Sequence, residues 1–283
     1  MADFWRSELD PERVMRLPVT HWQENTPGQR EELLTVEEPF EIRLNGQSLA
    51  MIMRTPGNDV ELALGFLLSE GIIRGYQDID AIEIATDEDG LPLPNVVNVS
   101  LKTEATSSPA SSAPFQRHFA VSASCGLCGK NSISDLLFSA PPLEPDQIHV
   151  SASTIYKLPT LLRSRQDVFE HTGGLHAAGL FTTEGELALL REDVGRHNAV
   201  DKLVGHGLLH GQFPFTTSIL MVSGRTSFEI LQKALLARIP CVVAISAPSS
   251  MAVELAERGG ITLIGFLRSR SMNVYTHPER IVR

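Results

Sequence analysis

Cys125 and Cys128 stand two residues apart in the run Ser122-Ala-Ser-Cys-Gly-Leu-Cys-Gly-Lys130, and only one other cysteine occurs in the chain. Gly126 and Gly129 leave the backbone free to turn and remove side chains that would shield the sulfurs. Lys130 supplies a nearby cation, and Asn131-Ser132-Ile-Ser-Asp135 reads as a helix start with Ser132 as N-cap. A thiol beside a cation and a helix N-terminus ionises readily, and the thiolate is the attacking form. Four chemistries compete for such a pair. A structural disulfide needs a framework that one further cysteine does not provide. A zinc half-site needs two more ligands, yet Cys241 lies in the apolar run Ile239-Pro-Cys-Val-Val-Ala-Ile245, where a buried thiol is expected. A thioredoxin-like redox pair and a carrier of sulfane sulfur both fit the local chemistry and remain open on these residues alone. The Ser/Pro/Ala run from Ser107 to Pro114 places the pair on a mobile loop.

A second group of residues could bind a ligand rather than react. His171 and His176 flank Gly173-Gly174, which would let a ligand approach the backbone; a helix end feeding a strand is the alternative. In Glu192-Asp-Val-Gly-Arg-His-Asn198, the residues Arg196, His197 and Asn198 fall in a first helical turn, where backbone N–H groups point outward. With Gly195 removing bulk beside them, they form a polar pocket wall in preference to a merely solvated helix start.

The elements that must position these groups are clearest in the last third of the chain. Ser218–Val222, Cys241–Ile245 and Ile261–Phe266 read as buried strands separated by helices over Phe228–Ala237 and Met251–Arg258. Strand-helix-strand-helix-strand implies a largely parallel sheet with right-handed crossovers, whose ligands bind beyond the C-terminal strand ends. Those ends carry Ser223-Gly224-Arg225-Thr226-Ser227, then Ser246–Ser250, then Leu267-Arg268-Ser269-Arg270-Ser271. Hydroxyls and arginines on one rim, beside helix starts, suit a phosphate-bearing ligand.

Upstream, residues 1–30 read as a polar tail and residues 31–115 as a small α+β domain. In the latter, strands over Leu33–Leu44 and Leu49–Arg54 turn at Asn45-Gly46, and a helix spans Val60–Ser69. Two more strands cover Ile79–Ala85 and Val96–Leu101. Residues 116–140 hold the mobile loop and a short helix with the cysteine pair, and residues 141–283 form the α/β domain.

The chain has 283 residues, of which 42% are hydrophobic and 20% charged, ordinary values for a globular protein. Its net charge of −10 argues against a general nucleic-acid or anionic-membrane surface. No apolar run reaches the roughly 18–20 residues that span a bilayer. Met1-Ala-Asp-Phe-Trp-Arg6 lacks the order of a secretory signal, which with few cysteines points to a reducing cytoplasm. There is no G-x-x-x-x-G-K-[ST], no strand-linked G-x-G-x-x-G and no H-x-E with P-C-x-x-C, so NTPase, dinucleotide dehydrogenase and zinc deaminase readings lack support.

Several runs resemble the formate dehydrogenase accessory sulfurtransferase family. They include Arg54-Thr-Pro-Gly, Leu64-Gly-Phe-Leu, Glu70-Gly-Ile, Ser124-Cys-Gly-Leu-Cys-Gly129 and Thr172-Gly-Gly-Leu-His-Ala-Ala178. Further on come Arg191-Glu-Asp-Val-Gly-Arg-His-Asn-Ala-Val-Asp-Lys202, Ser223-Gly-Arg-Thr-Ser-Phe-Glu229 and Asn273-Val-Tyr-Thr276. The likeness runs from about Glu31 to the C-terminus. It implies a homodimer whose C-terminal fold is similar to cytidine deaminases without their zinc site. It also implies sulfur transfer from a cysteine desulfurase to the molybdenum (or tungsten) bis-molybdopterin guanine dinucleotide cofactor, for use by the formate dehydrogenase catalytic subunit. On that resemblance Cys125 carries the persulfide and Cys128 relays or resolves it, while Phe266–Ser271 matches the cofactor-binding stretch. Arg268 and Arg270 lie in that stretch, which agrees with their place on the rim.

Overall fold

The computed structural model describes residues 12–102, 119–120, 137, 140–144 and 148–283. Of the two sheets that matter for the site, the first has the order β5-β6-β3-β4-β7. It is built from β3 (Glu38–Leu44), β4 (Gln47–Arg54), β5 (Ile79–Thr86), β6 (Pro92–Leu101) and β7 (Phe119–Ala120). Asn45 and Gly46 both take positive φ, 50° and 79°, as the two-residue turn between twisted strands requires. Helix α1 (Asp59–Ser69) follows β4, and its Leu62, Leu64, Leu67 and Leu68 are buried.

The stretch read as a polar tail is different. Val14–Gln23 and Thr26–Thr35 form strands β1 and β2, paired antiparallel along their whole length. Glu24 and Asn25 at the turn adopt left-handed φ of 46° and 69°. Most side chains on this hairpin are exposed, so it lacks the half-buried alternation by which strands announce themselves in sequence. Prolines 18 and 27 hid it further. The long strand expected from Leu33 to Leu44 is likewise two strands, ending at Thr35 and restarting at Glu38.

The C-terminal sheet has the order β10-β9-β11-β12-β13-β14. A short parallel pair joins β8 (Val150–Ser151) to β15 (Ile281–Val282), and helices α2 (Ala152–Ile155), α3 (Leu158–Arg163) and α4 (Asp167–Thr172) lead into the sheet. The sheet is then laid down by β9 (His176–Phe181), β10 (Leu187–Asp193), α5 (Arg196–Leu209), β11 (Ile219–Val222), α6 (Phe228–Leu236), β12 (Cys241–Ala244), α7 (Ser250–Gly259), β13 (Thr262–Arg268) and β14 (Ser271–Val274). The strands β11, β12 and β13 are parallel, as their crossover helices demand; β9 and β14 pair antiparallel with them at the flanks, and β10 pairs antiparallel with β9.

Both faces of this sheet are covered. Leu220, Val222, Val242 and Leu263 belong to one apolar cluster with α5, α6 and α7. Ile219, Met221, Val243 and Ile264, the alternate positions, join a second cluster with Ile155, Leu158 and Leu162. Burial on alternate sides explains why the strands read as unbroken apolar runs. Cys241 lies in that second cluster, and burial pushes its thiol up to about 12, so it stays protonated. The first cluster also contains Phe40, Ile42, Leu62 and Val97, so α1 and the first sheet share one core with the α/β part.

Candidate functional site

The three parallel strands end on one rim, and the loops that leave them touch in series. Thr226 bridges to Pro248, its N–H donating to Ala247 O and its carbonyl accepting from Ser249 N. The next contact runs from Phe266 N–H to Ser246 O at 3.2 Å. Loops after β11, β12 and β13 therefore form a continuous edge.

At the β11 end, five expected residues come together: His176, Arg196, His197, Gly224 and Ser227. His176 begins β9, which pairs antiparallel with β11 and so places its first residue beside the loop after Val222. A Cβ on Gly224 would meet His176 Nδ1 at 3.4 Å and Arg196 Cδ at 3.8 Å, so the missing side chain leaves a space bounded by both. His197 Nε2 lies 3.2 Å from Ser227 Oγ and 4.0 Å from Glu229 Oε2. Neither Gly195 nor Ser227 offers a side-chain cap to the helix it precedes; the first turn of α5 presents uncapped N–H groups here, whereas at α6 the Glu229 carboxylate accepts from its own N–H. Ser249, by contrast, does cap α7, its Oγ accepting from Ala252 N–H at 3.2 Å. Ser223 spends its hydroxyl on the fold, accepting from Ala177 N–H at 2.9 Å.

Two buried polar atoms on this side of the rim, Arg196 Nε and Thr226 Oγ1, have no partner among the described residues. Buried donors are seldom left alone in native proteins, and a group that waits for a ligand is one reason for an exception. The surrounding titrations favour one fixed positive charge. Burial, then Lys233 and Arg196, push His197 down to about 4. Burial and Arg196 also lower His176. Both imidazoles are thus neutral near pH 7, and Arg196 is the cation among them. Glu229 is held below the usual carboxylate range: burial opposes ionisation, but the Ser227 hydroxyl, the helix backbone, His197 and Arg196 outweigh it. Neither Thr226 nor Glu229 was singled out as a candidate from sequence, although both sit inside the run Ser223–Glu229.

The far end of the rim holds the remaining candidates. Phe266 takes a left-handed φ of 53° and is 43% exposed, an unusual conformation for an aromatic residue and one that recurs at functional sites. The irregularity it creates, between Gly265 and Arg268, turns Leu267 inward. Leu267 is 1% exposed and packs in the second cluster, so within the Phe266–Ser271 stretch its side chain belongs to the core and only its backbone is left to meet a ligand. Arg268 donates from Nη1 to the carbonyls of Ile245 (2.7 Å) and Leu267 (2.8 Å), while Ser269, Arg270 and Ser271 are exposed at the β13–β14 turn. Arg225 is exposed as well. Cys125 and Cys128, with Lys130, Ser132 and Asp135, lie outside the described residues. His171 Nδ1 lies 2.7 Å from Asp167 O within α4.

Much of the Arg191–Lys202 run proves to be scaffold. Glu192 accepts from Val168 and Phe169 N–H at the start of α4. Arg191 donates twice to Glu61 of α1, at 2.6 and 2.8 Å. Glu61, His206 and His210 bring three potential metal-ligand atoms within 4.8 Å of one another. Arg191 Nη2, however, stands 2.8 Å from Glu61 Oε1 and 2.9 Å from His206 Nδ1, in the place a cation would take. Glu61 and His206 thus hold the Arg191 guanidinium.

The chain is similar to proteins of one known family. The profile of the FdhD/NarQ family matches residues 35–282. A protein named sulfur carrier protein FdhD from Mycolicibacterium paratuberculosis is 47% identical over 270 residues, 94% of this chain and 98% of that one. Proteins of the same name are 46% identical in Streptomyces coelicolor, over 94% of this chain and 95% of that one, and 43% identical in Sulfolobus acidocaldarius, over 95% and 99%. The crystal structure of a protein assigned as a formate dehydrogenase accessory protein, from Desulfotalea psychrophila, superposes with a TM-score of 0.73. It is 24% identical and covers 95% of this chain and all of its own, a likeness of fold.

Proposed function

This chain belongs to the FdhD/NarQ family, and we propose that it is a sulfur carrier that serves the maturation of formate dehydrogenase. In this reading the Cys125 thiolate attacks the terminal sulfur of a cysteine desulfurase persulfide. A new S–S bond forms at Cys125, the donor's S–S bond breaks, and the donor cysteine leaves as a thiolate, so no external oxidant or reductant is needed. The acceptor is the molybdenum or tungsten bis-molybdopterin guanine dinucleotide, whose phosphates would lie on the rim. Cys128 would relay or resolve the sulfur, and the exchange would take place in the cytoplasm, within a homodimer. No helix among the described residues is long and apolar enough to cross a membrane.

The observation that carries the binding half of this reading is the buried Arg196 Nε, without a partner among the described residues, at the uncapped start of α5. A phosphate would accept from the guanidinium and from the helix N–H groups together.

The test loads wild type and Cys125→Ala with labelled sulfane sulfur from a desulfurase and reads the adducts by mass spectrometry. One added sulfur on Cys125, absent from the variant, is expected. Undiminished loading and formate dehydrogenase maturation in the variant would remove the carrier step. Maturation by a double Cys→Ala variant would favour a non-covalent chaperone, and reduction of a protein disulfide by the pair would favour an oxidoreductase.

A further inference from the structure

Asp193 ends β10 opposite His176, and its side chain is wholly withdrawn from solvent. Its carboxylate nevertheless accepts four bonds. Oδ1 accepts from Gly195 N–H and from Asn198 Nδ2, both at 2.8 Å. Oδ2 accepts from Thr55 N–H at 3.2 Å and from Lys202 Nζ at 2.7 Å. The partners are themselves cross-tied: Lys202 donates to Thr55 O at 2.8 Å, Asn198 to Met53 O at 2.8 Å, and Val194 N–H to Thr55 Oγ1 at 3.2 Å. A Cβ on Gly195 would come 2.7 Å from Asn198 Nδ2, so the turn has no slack. Arg196 and His197 are the next two residues.

We propose that Asp193 is the positioning residue of the rim, clamping the start of α5 onto the end of β4 so that Arg196 and His197 stand ready against Gly224 and Ser227 before an anion arrives. The inference rests on the reading of the rim as an anion site. A buried ion pair is a poor means to stability alone, since apolar side chains of similar volume often serve as well. Directional bonds to four separate groups fix a geometry instead, and a pre-set geometry spares the ligand the work of ordering its site.

Binding of guanosine diphosphate to the full-length chain tests this. Asp193→Asn/Lys202→Met removes both buried charges together, and Asn198→Ala cuts the tie to Met53 while leaving the pair intact. Each is expected to weaken binding by about tenfold or more while thermal unfolding stays cooperative above the assay temperature. Because the Asp193 charge raises the His176 titration, the double variant should also shift the His176 NMR titration to lower pH, a change that mere loss of stability would not produce. Should the double variant not fold, Asn198→Ala decides by affinity. Wild-type affinity in the folded variants, with Arg196→Ala weakened, would overturn the positioning role and spare the site. Wild-type affinity in Arg196→Ala would overturn the anion site, and the inference with it.

Discussion

Gly65 and Gly205 lie against each other's helices at the crossing of α1 and α5. A Cβ on Gly65 would fall 1.9 Å from Asp201 O, and one on Gly205 would fall 1.8 Å from Glu61 O. The two backbones touch, and this contact brings the first sheet's helix to the rim's helix. Replacing either glycine by alanine must push the helices apart. Overpacking of this kind costs about 1–3 kcal/mol or more, and because the obstacle is backbone it cannot move aside alone. Gly205→Ala is expected to lower the urea midpoint by at least that equivalent; a midpoint within error of wild type would disprove the contact.

Glu61 joins the same two helices by charge. Burial raises its pKa, but the bonds from Arg191 and His206 and their charges lower it further, so the net direction is down. A carboxyl with a depressed folded value contributes stability above its ordinary value of 4.5, and that contribution is lost as pH falls through the folded value. Glu61→Gln should therefore cost about 1–3 kcal/mol at pH 7 and give a shallower decline of stability below pH 4.5. Parallel acid limbs for the two proteins would contradict the assignment.

His197 acts in a different window. Its folded value of about 4 lies under the ordinary 6.5, chiefly through burial. The unfolded chain binds the proton first, so the stability conferred is complete above 6.5 and is lost as pH falls towards 4. A plot of unfolding free energy against pH should rise across this interval in wild type and rise less in His197→Gln. A slope unchanged by the substitution would show that His197 is not held neutral.

How far the sequence foretold these features depends on the range of the interaction behind them. The Asn45-Gly46 turn and the strands of the last third are governed by local chemistry and by burial of whole runs, and both were legible. The β1–β2 hairpin was not, because its exposed faces carry no periodic signal and its Glu24-Asn25 turn lacks glycine. The rim was legible as a cluster of hydroxyls and arginines, since parallel topology fixes which strand ends share an edge. What could not be read was the division of labour. Arg191, Glu192, Asp193 and Lys202 resemble a charged site in sequence, yet their partners Glu61, Val168 and Thr55 stand 24 to 147 residues away. Of that run, Arg196 lies beside the space at Gly224 and His197 beside Ser227. That the Leu267 side chain faces the core has a local reason, the left-handed Phe266 that reverses the alternation of β13.

The two ends of the rim should differ in their contribution to anion binding. Arg268 already donates to two carbonyls and is exposed, as is Arg270, so water and salt screen both. Arg196 has a buried, unpartnered Nε. Arg196→Ala should thus weaken guanosine diphosphate binding by about tenfold or more. Arg268→Ala/Arg270→Ala should lose less at 0.15 M salt and regain its difference from wild type as salt is lowered. A double variant weaker than Arg196→Ala at both salt concentrations would move the phosphate site to the β13–β14 turn.

Gly224 offers the sharpest separation of binding from folding. Its Cβ position lies 3.4 Å from His176 Nδ1, 3.5 Å from His176 Cε1 and 3.8 Å from Arg196 Cδ, ordinary contact distances, and its φ is not in the left-handed region. Gly224→Ala therefore fits the unliganded protein, and its stability should stay within about 0.5 kcal/mol of wild type. The added methyl group nonetheless fills the space between the neutral imidazole and the guanidinium, where an anion's oxygens would have to lie. Affinity for guanosine diphosphate should fall by roughly tenfold or more, with the unfolding curve superimposable on that of wild type. If the alanine variant binds as tightly as wild type, the anion does not enter between His176 and Arg196, and the ligand must rest on the helix starts alone.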